Sequence, residues 1–355
     1  MMEIREANKD DNDALLELQT KCPMGVNFVV AVDSSPDYFA RSQPYPDPHV
    51  FVATENQKTI VGSAACTIRN VLVQAKPIKA AFTYGMMVDP VKRGKGIASQ
   101  LQKHIENYAT KQKADLCHLL VMEGNVPSIK LCQKMGFQLI KDCTYFSLMV
   151  YKHEQLQNET NIKTMDETDI ENVVSIMNDT YRDYDFYHPY DKETFQAHVR
   201  RLPYFRQEDI FILQKEKNIE ACLGHWDQNK TRREKVQKMN LRLKAISLPI
   251  KFLSLFTKMP RIPKPGETLK QWHLFPIACK DAASLEQLIK HVNNLALKND
   301  VTMLATAVDS QSPLAGVLSK FRHVKVKTHY FVKPIRKMRT PLSKERKFYI
   351  DITDV

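Results

Sequence analysis

Polar and apolar residues alternate in MEIREA at 2–7. The spacing then lengthens to that of a helix in DDNDALLELQTKC, where Leu15, Leu16 and Leu18 follow an acidic first turn. Residues 22–48 carry Pro36, Pro44, Pro46 and Pro48, too many for regular structure, and read as a loop on the substrate side. VFVATE, a turn at NQK and the β-branched run TIVGSAACTIRNVLV predict a hairpin, and AAFTYGMMV predicts another strand. A helix over 96–111 follows, then DLCHLLVME, apolar on both faces as a central strand requires. NVPSIKLCQKMGF predicts a short helix with Pro127 in its first turn, and CTYFSLMVY a closing strand.

The second half repeats this order. NIKTMDETDIENVVSIMNDTY mirrors the opening strand and helix, IFILQKEKNIEACLGHW the hairpin, and SLEQLIKHVNNLALKNDVTMLATAVD the helix and central strand. TYFSLMV beginning at Thr144 aligns with HYFVKPI beginning at His329, and Asn125 aligns nearly in register with Asp309. An internal duplication is the simplest reading. The pattern predicts a domain at 1–155, a boundary in the polar stretch KHEQLQNETN, a second domain at 160–334 and a tail at 335–355.

Composition narrows the class. The chain has 355 residues, 43% of them apolar, enough for two cores. No window holds the run of apolar residues that a membrane helix needs, the N-terminus is polar and acidic, and the expected compartment is cytoplasmic. Seven cysteines, scattered and never in CxxC spacing, argue for reduced thiols and against a zinc site or disulfide framework. The net charge of +12 is concentrated: residues 230–264 hold eleven Lys/Arg against Glu234, and 336–347 hold six against Glu345, leaving the rest slightly acidic. Residues 230–258 read as the start of a basic amphipathic helix divided by Pro249, within a helical insert spanning 230–264. An arm covering the sheet is favoured there over contact with a membrane surface. Phe252 and Phe256 are not interleaved with the basic residues, which argues against nucleic acid.

The chemistry-bearing stretch is VKRGKGIASQ at 91–100. Arg93, Gly94, Lys95, Gly96, Ile97, Ala98 and Ser99 lie between a strand and a helix, where successive N–H groups and the positive helix end converge on one point. The pattern is neither a Walker A loop nor a dinucleotide fingerprint. It resembles the pyrophosphate signature of the GNAT superfamily of acyl-CoA N-acetyltransferases: Arg93, Gly96 and Ala98 after a strand ending in VDP. A second signature of that family is met by Asn125, Ser128, Leu131-Cys132 and Gly136-Phe137. Together they span roughly residues 1–150. The tandem arrangement is similar, more remotely, to plant hookless-type acetyltransferases and vertebrate histidine N-acetyltransferase.

The resemblance implies an α/β (α+β) fold of tandem GNAT-like domains, each a mixed, mostly antiparallel twisted sheet flanked by helices and splayed at its central strands. It implies acetyl-CoA as acyl donor, no metal, and direct attack by a primary amine of a small molecule or amino acid. The backbone of Met86, Met87 and Val88 would hold the pantetheine arm and polarise the thioester carbonyl, with Asn125 and Ser128 assisting. Two departures stand out: Cys132 replaces the family's tyrosine acid, and Tyr84 stands where many members carry a glutamate. Cys132 is then either a thiol proton donor or a small packing residue, and Tyr84 an acceptor contact or a packing residue. Glu123, at the end of the central strand, is the best-placed carboxylate of the first half, and His118 reads as a core histidine. The second half offers Lys280, Ala282 and Ala283 but no glycine, so its role is completing the acceptor pocket or structural. A protein-lysine acetyltransferase and a non-catalytic acyl-CoA sensor are the alternatives. The acceptor and the oligomeric state stay open.

Overall fold

The computed structural model describes residues 2–25, 28–157, 161–216, 218–240, 259–337 and 342–354. The first half runs β1 (Met2–Glu6), α1 (Asn12–Thr20), β2 (Phe28–Asp33), β3 (His49–Glu55), β4 (Thr59–Val73), β5 (Lys76–Val88), α2 (Ile97–Lys111), β6 (Leu116–Met122), α3 (Val126–Lys134) and β7 (Gln138–Met149). The second runs β8 (Asn161–Thr164), α4 (Ile170–Tyr181), β9 (Tyr184–Asp185), α5 (Lys192–Arg201), β10 (Ile210–Lys215), β11 (Asn218–Trp226), β12 (Arg233–Met239), β13 (Gln271–Cys279), α6 (Ala282–Lys298), β14 (Met303–Asp309), α7 (Pro313–Leu318), β15 (His323–Pro334) and β16 (Lys347–Phe348). Side chains cap several of the helices: Asn125 receives the Ser128 N–H at α3, and Asp281 the Ser284 N–H at α6, whereas α2 starts at Gly96 with no side-chain cap.

The strands form one twelve-stranded, mostly antiparallel sheet in the order β1-β3-β4-β5-β6-β15-β7-β14-β13-β11-β10-β8. The two ends of that order are mirror images about the β15–β7 pair. Each half lends its last strand to the other: β15 lies between β6 and β7, and β7 between β15 and β14. Strands β7 and β15 are both 12 residues long and begin at Gln138 and His323, the same offset as the sequence repeat. The largest apolar cluster accordingly joins Val71, Ala80 and Leu116 of the first half to residues from β8 onwards.

Three segments differ from the sequence reading. Residues 28–33, within the supposed proline-rich loop, form β2. Residues 233–239, expected to begin a helix, are its partner β12, because Val236 and Met239 bury with Leu269 against Phe28 and Val30 while Arg233 pairs with Asp33. The rest of the expected helix, 241–258, lies outside the described residues. The supposed basic tail carries its charge only as far as Lys347; beyond it Phe348, Ile350 and Ile352 are buried. Buried Lys141 fixes its approach by donating to the carbonyls of Lys344 and Arg346.

Candidate active site

Strands β5 and β6 are paired in parallel only at Ala80–Leu116, Ala81–Cys117 and Phe82–His118, and beyond Phe82 they part. Gly85, with φ +63°, forms a bulge there, moving the β4–β5 register from Ala65–Tyr84 to Ser63–Met87. The bulge shifts the side-chain phase by one. Phe82 and Tyr84 pack on the α1 side, whereas Met86 and Val88 pack against Ile97, Leu101 and Ile105 of α2 and neighbouring strands. The backbone of 84–88 thus has β4 on one edge and a gap on the other. In that gap the Val88 carbonyl accepts from Arg93 Nε at 3.3 Å and from the Cys22 thiol at 3.4 Å.

At the mouth of the gap the chain turns at Asp89, whose carboxylate accepts the Val91 N–H, and enters α2 through Gly94 at φ +80° and Gly96 at φ +79°. Only glycine adopts these angles without strain, and a Cβ at either position would meet nothing within 4 Å. The Gln100 N–H, bonded to the Gly96 carbonyl, is the first to enter the helix ladder. Among the described residues, the N–H groups of Gly94, Lys95, Gly96, Ile97, Ala98 and Ser99 meet no acceptor. This open, cationic nest suits a pyrophosphate. The corresponding helix start in the second half, α6, is already occupied: the Asp281 carboxylate accepts the Ser284 N–H and hydroxyl.

The opposite face of the splay is built from both halves. The Tyr84 hydroxyl donates to Ser42 Oγ at 2.9 Å, burial drives its pKa well up, and its ring lies 4.5 Å from that of Tyr45. Arg41 sits over both rings. His118, at the fork itself, is fully buried, bonded through Nδ1 to the Tyr330 hydroxyl of β15 at 2.7 Å, and flanked by Phe82 and Phe186. Burial, then Arg69, hold it well below the usual imidazole range, so it is neutral. Its Nε2 has no partner.

The end of the chain reaches this face. The Thr353 carbonyl accepts from Arg41 Nη1 at 2.7 Å and from the Tyr45 hydroxyl at 2.6 Å, and the Asp354 carboxylate pairs with Arg69, whose guanidinium lies over the Phe82 ring. Burial pushes the Asp354 carboxyl up to about 6, Asp351 adds to the rise, and Arg69 opposes it. Its second oxygen is buried without a partner.

The three residues expected to be catalytic are dispersed. Tyr84 lies at the splay. Glu123 is exposed, 3.6 Å from Lys327 of β15. Cys132 packs in an apolar cluster with Val121, Phe137 and Phe331, where burial pushes its thiol up to about 12, an arrangement that fits packing. Asn125 caps α3, and Ser128 supplies the capped N–H. Asp354 escaped the sequence reading; its only signal was the period-two run Phe348, Ile350, Ile352 leading into it.

Residues 12–137 match the acetyltransferase (GNAT) family model. Over that stretch the chain is similar to the GNAT superfamily of acyltransferases. The chain is 26% identical over 142 residues to an acetyltransferase of Pectobacterium atrosepticum, covering 40% of this chain and 91% of that one. Structural likeness extends over nearly the whole chain. A GCN5-related N-acetyltransferase from Sphaerobacter thermophilus matches with a TM-score of 0.63 at 10% identity, covering 96% of this chain and 98% of that one. Saccharomyces cerevisiae N-myristoyltransferase with bound myristoyl-CoA matches with a TM-score of 0.64 at 11% identity, covering 96% and 84%. A glucosamine N-acetyltransferase region within a fungal multi-domain β-N-acetylglucosaminidase matches with a TM-score of 0.62 at 13% identity; the chain spans 38% of that protein's length. The GNAT family uses acyl-CoA, and among the described residues no helix is long and apolar enough to cross a membrane.

Proposed function

We propose that the chain transfers an acetyl group from acetyl-CoA to the primary amine of a small molecule, with Asp354 as the proton acceptor. One observation carries the reading: a strand fork opens directly into a nest of six unbonded N–H groups, as an acyl-CoA thioester and pyrophosphate require. The Gly94–Ser99 amides, with Lys95 and Arg93, hold the pyrophosphate. Free N–H groups on the open edge of residues 86–88 polarise the thioester carbonyl. The amine arrives from the Tyr84 face, its nitrogen forms the new N–C bond as the C–S bond breaks, and its surplus proton passes to Asp354. The departing thiolate takes a proton from solvent, and the charges balance.

Residues 41–45 and the tail pack over the Tyr84 face: Ser42 accepts from Tyr84, and the Thr353 carbonyl accepts from Arg41 and Tyr45. That cover supports a small amine over a polypeptide. Isothermal titration with acetyl-CoA, coupled to CoA release on a panel of amino acids, polyamines and lysine peptides, tests the proposal. One acetyl-CoA per chain and amine-dependent release are expected. Binding without turnover on any amine would replace the transferase by an acyl-CoA sensor.

A further inference from the structure

The proposed chemistry puts the thioester carbonyl against the open edge of residues 86–88, and the room around that point sets what the acyl group can be. Inward, the gap ends at the Phe82–His118 pair. Phe82 is buried there, its ring stacked on Tyr84 at 5.7 Å, 5.1 Å from His118 and 5.9 Å from Tyr45. Beyond His118 stand Tyr330 at 5.5 Å and Phe186 at 5.1 Å, and Phe348 lies 5.0 Å from Phe186. These rings are pinned: His118 by the Tyr330 hydroxyl at 2.7 Å, Tyr84 by its bond to Ser42, Phe186 by its N–H to the Leu72 carbonyl at 2.6 Å, and Phe82 by the Arg69 guanidinium over its face. Two cavities border the group, of about 30 Å³ beside Tyr45 and Phe186 and about 10 Å³ beside Phe348, and neither takes more than about three waters. The α2 side of the fork is as full. Met86 and Val88 pack on Ile97, Leu101 and Ile105, and a Cβ at Gly62 of β4 would come within 3.0 Å of Ile97 and 3.2 Å of Leu101.

From this packing we infer that the donor is confined to short acyl groups, acetyl or propionyl, and that Phe82 is the residue that sets the limit. The inference rests on the transferase reading above. The pantetheine arm and pyrophosphate fill the mouth of the gap, so a longer chain must run inward to the apex, across to the acceptor face or across to the α2 face. Each course ends on close-packed rings or aliphatic side chains, and an interior of that density yields to an added methylene only by breaking buried contacts. On the acceptor side the rings form one connected group, and Phe82 is its member at the apex: it is the last paired residue of β5 and touches both Tyr84 and His118. Shrinking Phe82 opens space continuous with the gap. Shrinking Phe186 or Phe348 opens space beyond His118, which the chain does not reach. Phe82 carries no proton and holds no phosphate; its part is to select the donor.

The test measures kcat/KM for acetyl-, propionyl-, butyryl-, hexanoyl- and octanoyl-CoA at one fixed amine from the panel above, by CoA release, for the full chain and the variants Phe82→Leu and Phe82→Ala. A methylene that a pocket cannot take costs about 10- to 200-fold, so wild type should fall at least about 100-fold between propionyl- and hexanoyl-CoA. Phe82→Leu should move the cut-off to longer chains and Phe82→Ala further still, raising the hexanoyl-to-acetyl ratio about 10-fold or more. The ratio cancels any general loss from disturbing Arg69 and Asp354, which slows every donor alike, and a cut-off graded with side-chain size is not what a folding defect gives. Should Phe82→Ala fail to fold, the milder Phe82→Leu carries the comparison. Octanoyl-CoA used within threefold of acetyl-CoA by wild type, or a cut-off unmoved in a folded variant, overturns the inference while the transferase stands. Isothermal titration of the same acyl-CoAs supplies a readout without turnover. Octanoyl-CoA at least about 10-fold weaker than acetyl-CoA in wild type, with a smaller difference in Phe82→Leu, supports the wall even where no amine is acetylated, the outcome that sinks the transferase reading. Equal affinities overturn the wall, and no binding of any acyl-CoA sinks both.

Discussion

Replacing Asp354 by Asn removes the one buried carboxylate on the acceptor face that pairs with Arg69 at the fork. Its surroundings set the magnitude. Burial lifts the carboxyl to about 6, the neighbouring Asp351 pushes the same way, and Arg69 and Arg41 pull back. A carboxyl at that value is ionised at neutral pH yet basic enough to take a proton from an ammonium. A positioned base of this kind contributes about 10²- to 10⁴-fold to rate, or roughly 3–5 kcal/mol. The sign of the pH dependence follows from the raised value: the active, ionised form is present above about 6 and is lost as pH falls through it. For wild type, kcat/KM should drop with unit slope below that point, to about one tenth of the plateau at pH 5.

Asp354→Asn should lower the plateau at least about 100-fold and remove the limb near 6. The assay is initial-rate CoA release from pH 5 to 9, with acetyl-CoA titration and a melting curve on the same preparation. Arg69 is left buried without its partner by this change, so the melting curve separates a folding loss from a catalytic one. A folded variant within threefold of wild type, with the acid limb unmoved, would refute the assignment of Asp354 as proton acceptor.

Gly96→Glu should weaken acetyl-CoA binding about 30-fold or more by titration with the fold intact by circular dichroism, because it sets a carboxylate against N–H groups meant for phosphate. Phe348→Ala empties a fully buried ring site beside Phe186 and Tyr330 and should cost about 3–5 kcal/mol in urea unfolding. Residues 1–157 expressed alone should fail to give a folded monomer that binds acetyl-CoA, since β7 loses both neighbours and β6 one. Co-expression with 161–355 should restore binding, measured by titration of the purified pair.

Much of this architecture is legible from local pattern. The splay was expected only from the family resemblance; its physical cause, the bulge at Gly85, is visible in the strand register and not in the pattern of residues. The nest at 94–99 was legible because glycine, charge and helix onset coincide within seven residues. The repeat between 144 and 329 was legible because both segments keep one period-two pattern. What escaped depends on pairings distant in sequence. Residues 233–239 read as helix because lysines and arginines fit a solvated helix face as well as an edge strand, and β2, which decides the matter, lies 200 residues away. Asp354 was lost for a related reason: the basic run 336–347 coloured the reading of the apolar run after it. A carboxylate's environment is made by Arg69 and Asp351, which no local window contains.

The strand exchange gives these long-range contacts a common cause. Because β15 is inserted beside β6, Tyr330 arrives at His118 and Phe186 follows it, so the second half supplies a wall to the fork of the first. The same exchange directs the chain after β15 back across the sheet, where Asp309 holds the Phe348 N–H and Lys141 the carbonyls before it. Residues 349–354 are thereby delivered to Tyr45 and Arg69. The second half has its own fork, with pairing that ends at His273–Ala305, but aromatic and aliphatic residues of the tail pack against it, and Asp281 occupies the helix end that would face a pyrophosphate. Burial pushes the Asp281 carboxyl up, yet Ser284 and Lys215 outweigh it and hold the group below its ordinary range, ionised and repulsive to a phosphate. In the proposed reading one repeat keeps the donor nest and the other forms the acceptor wall. The division is physical: a single sheet joins them, so neither can be altered at the β7–β15 pair without moving the fork where the reaction is proposed to occur.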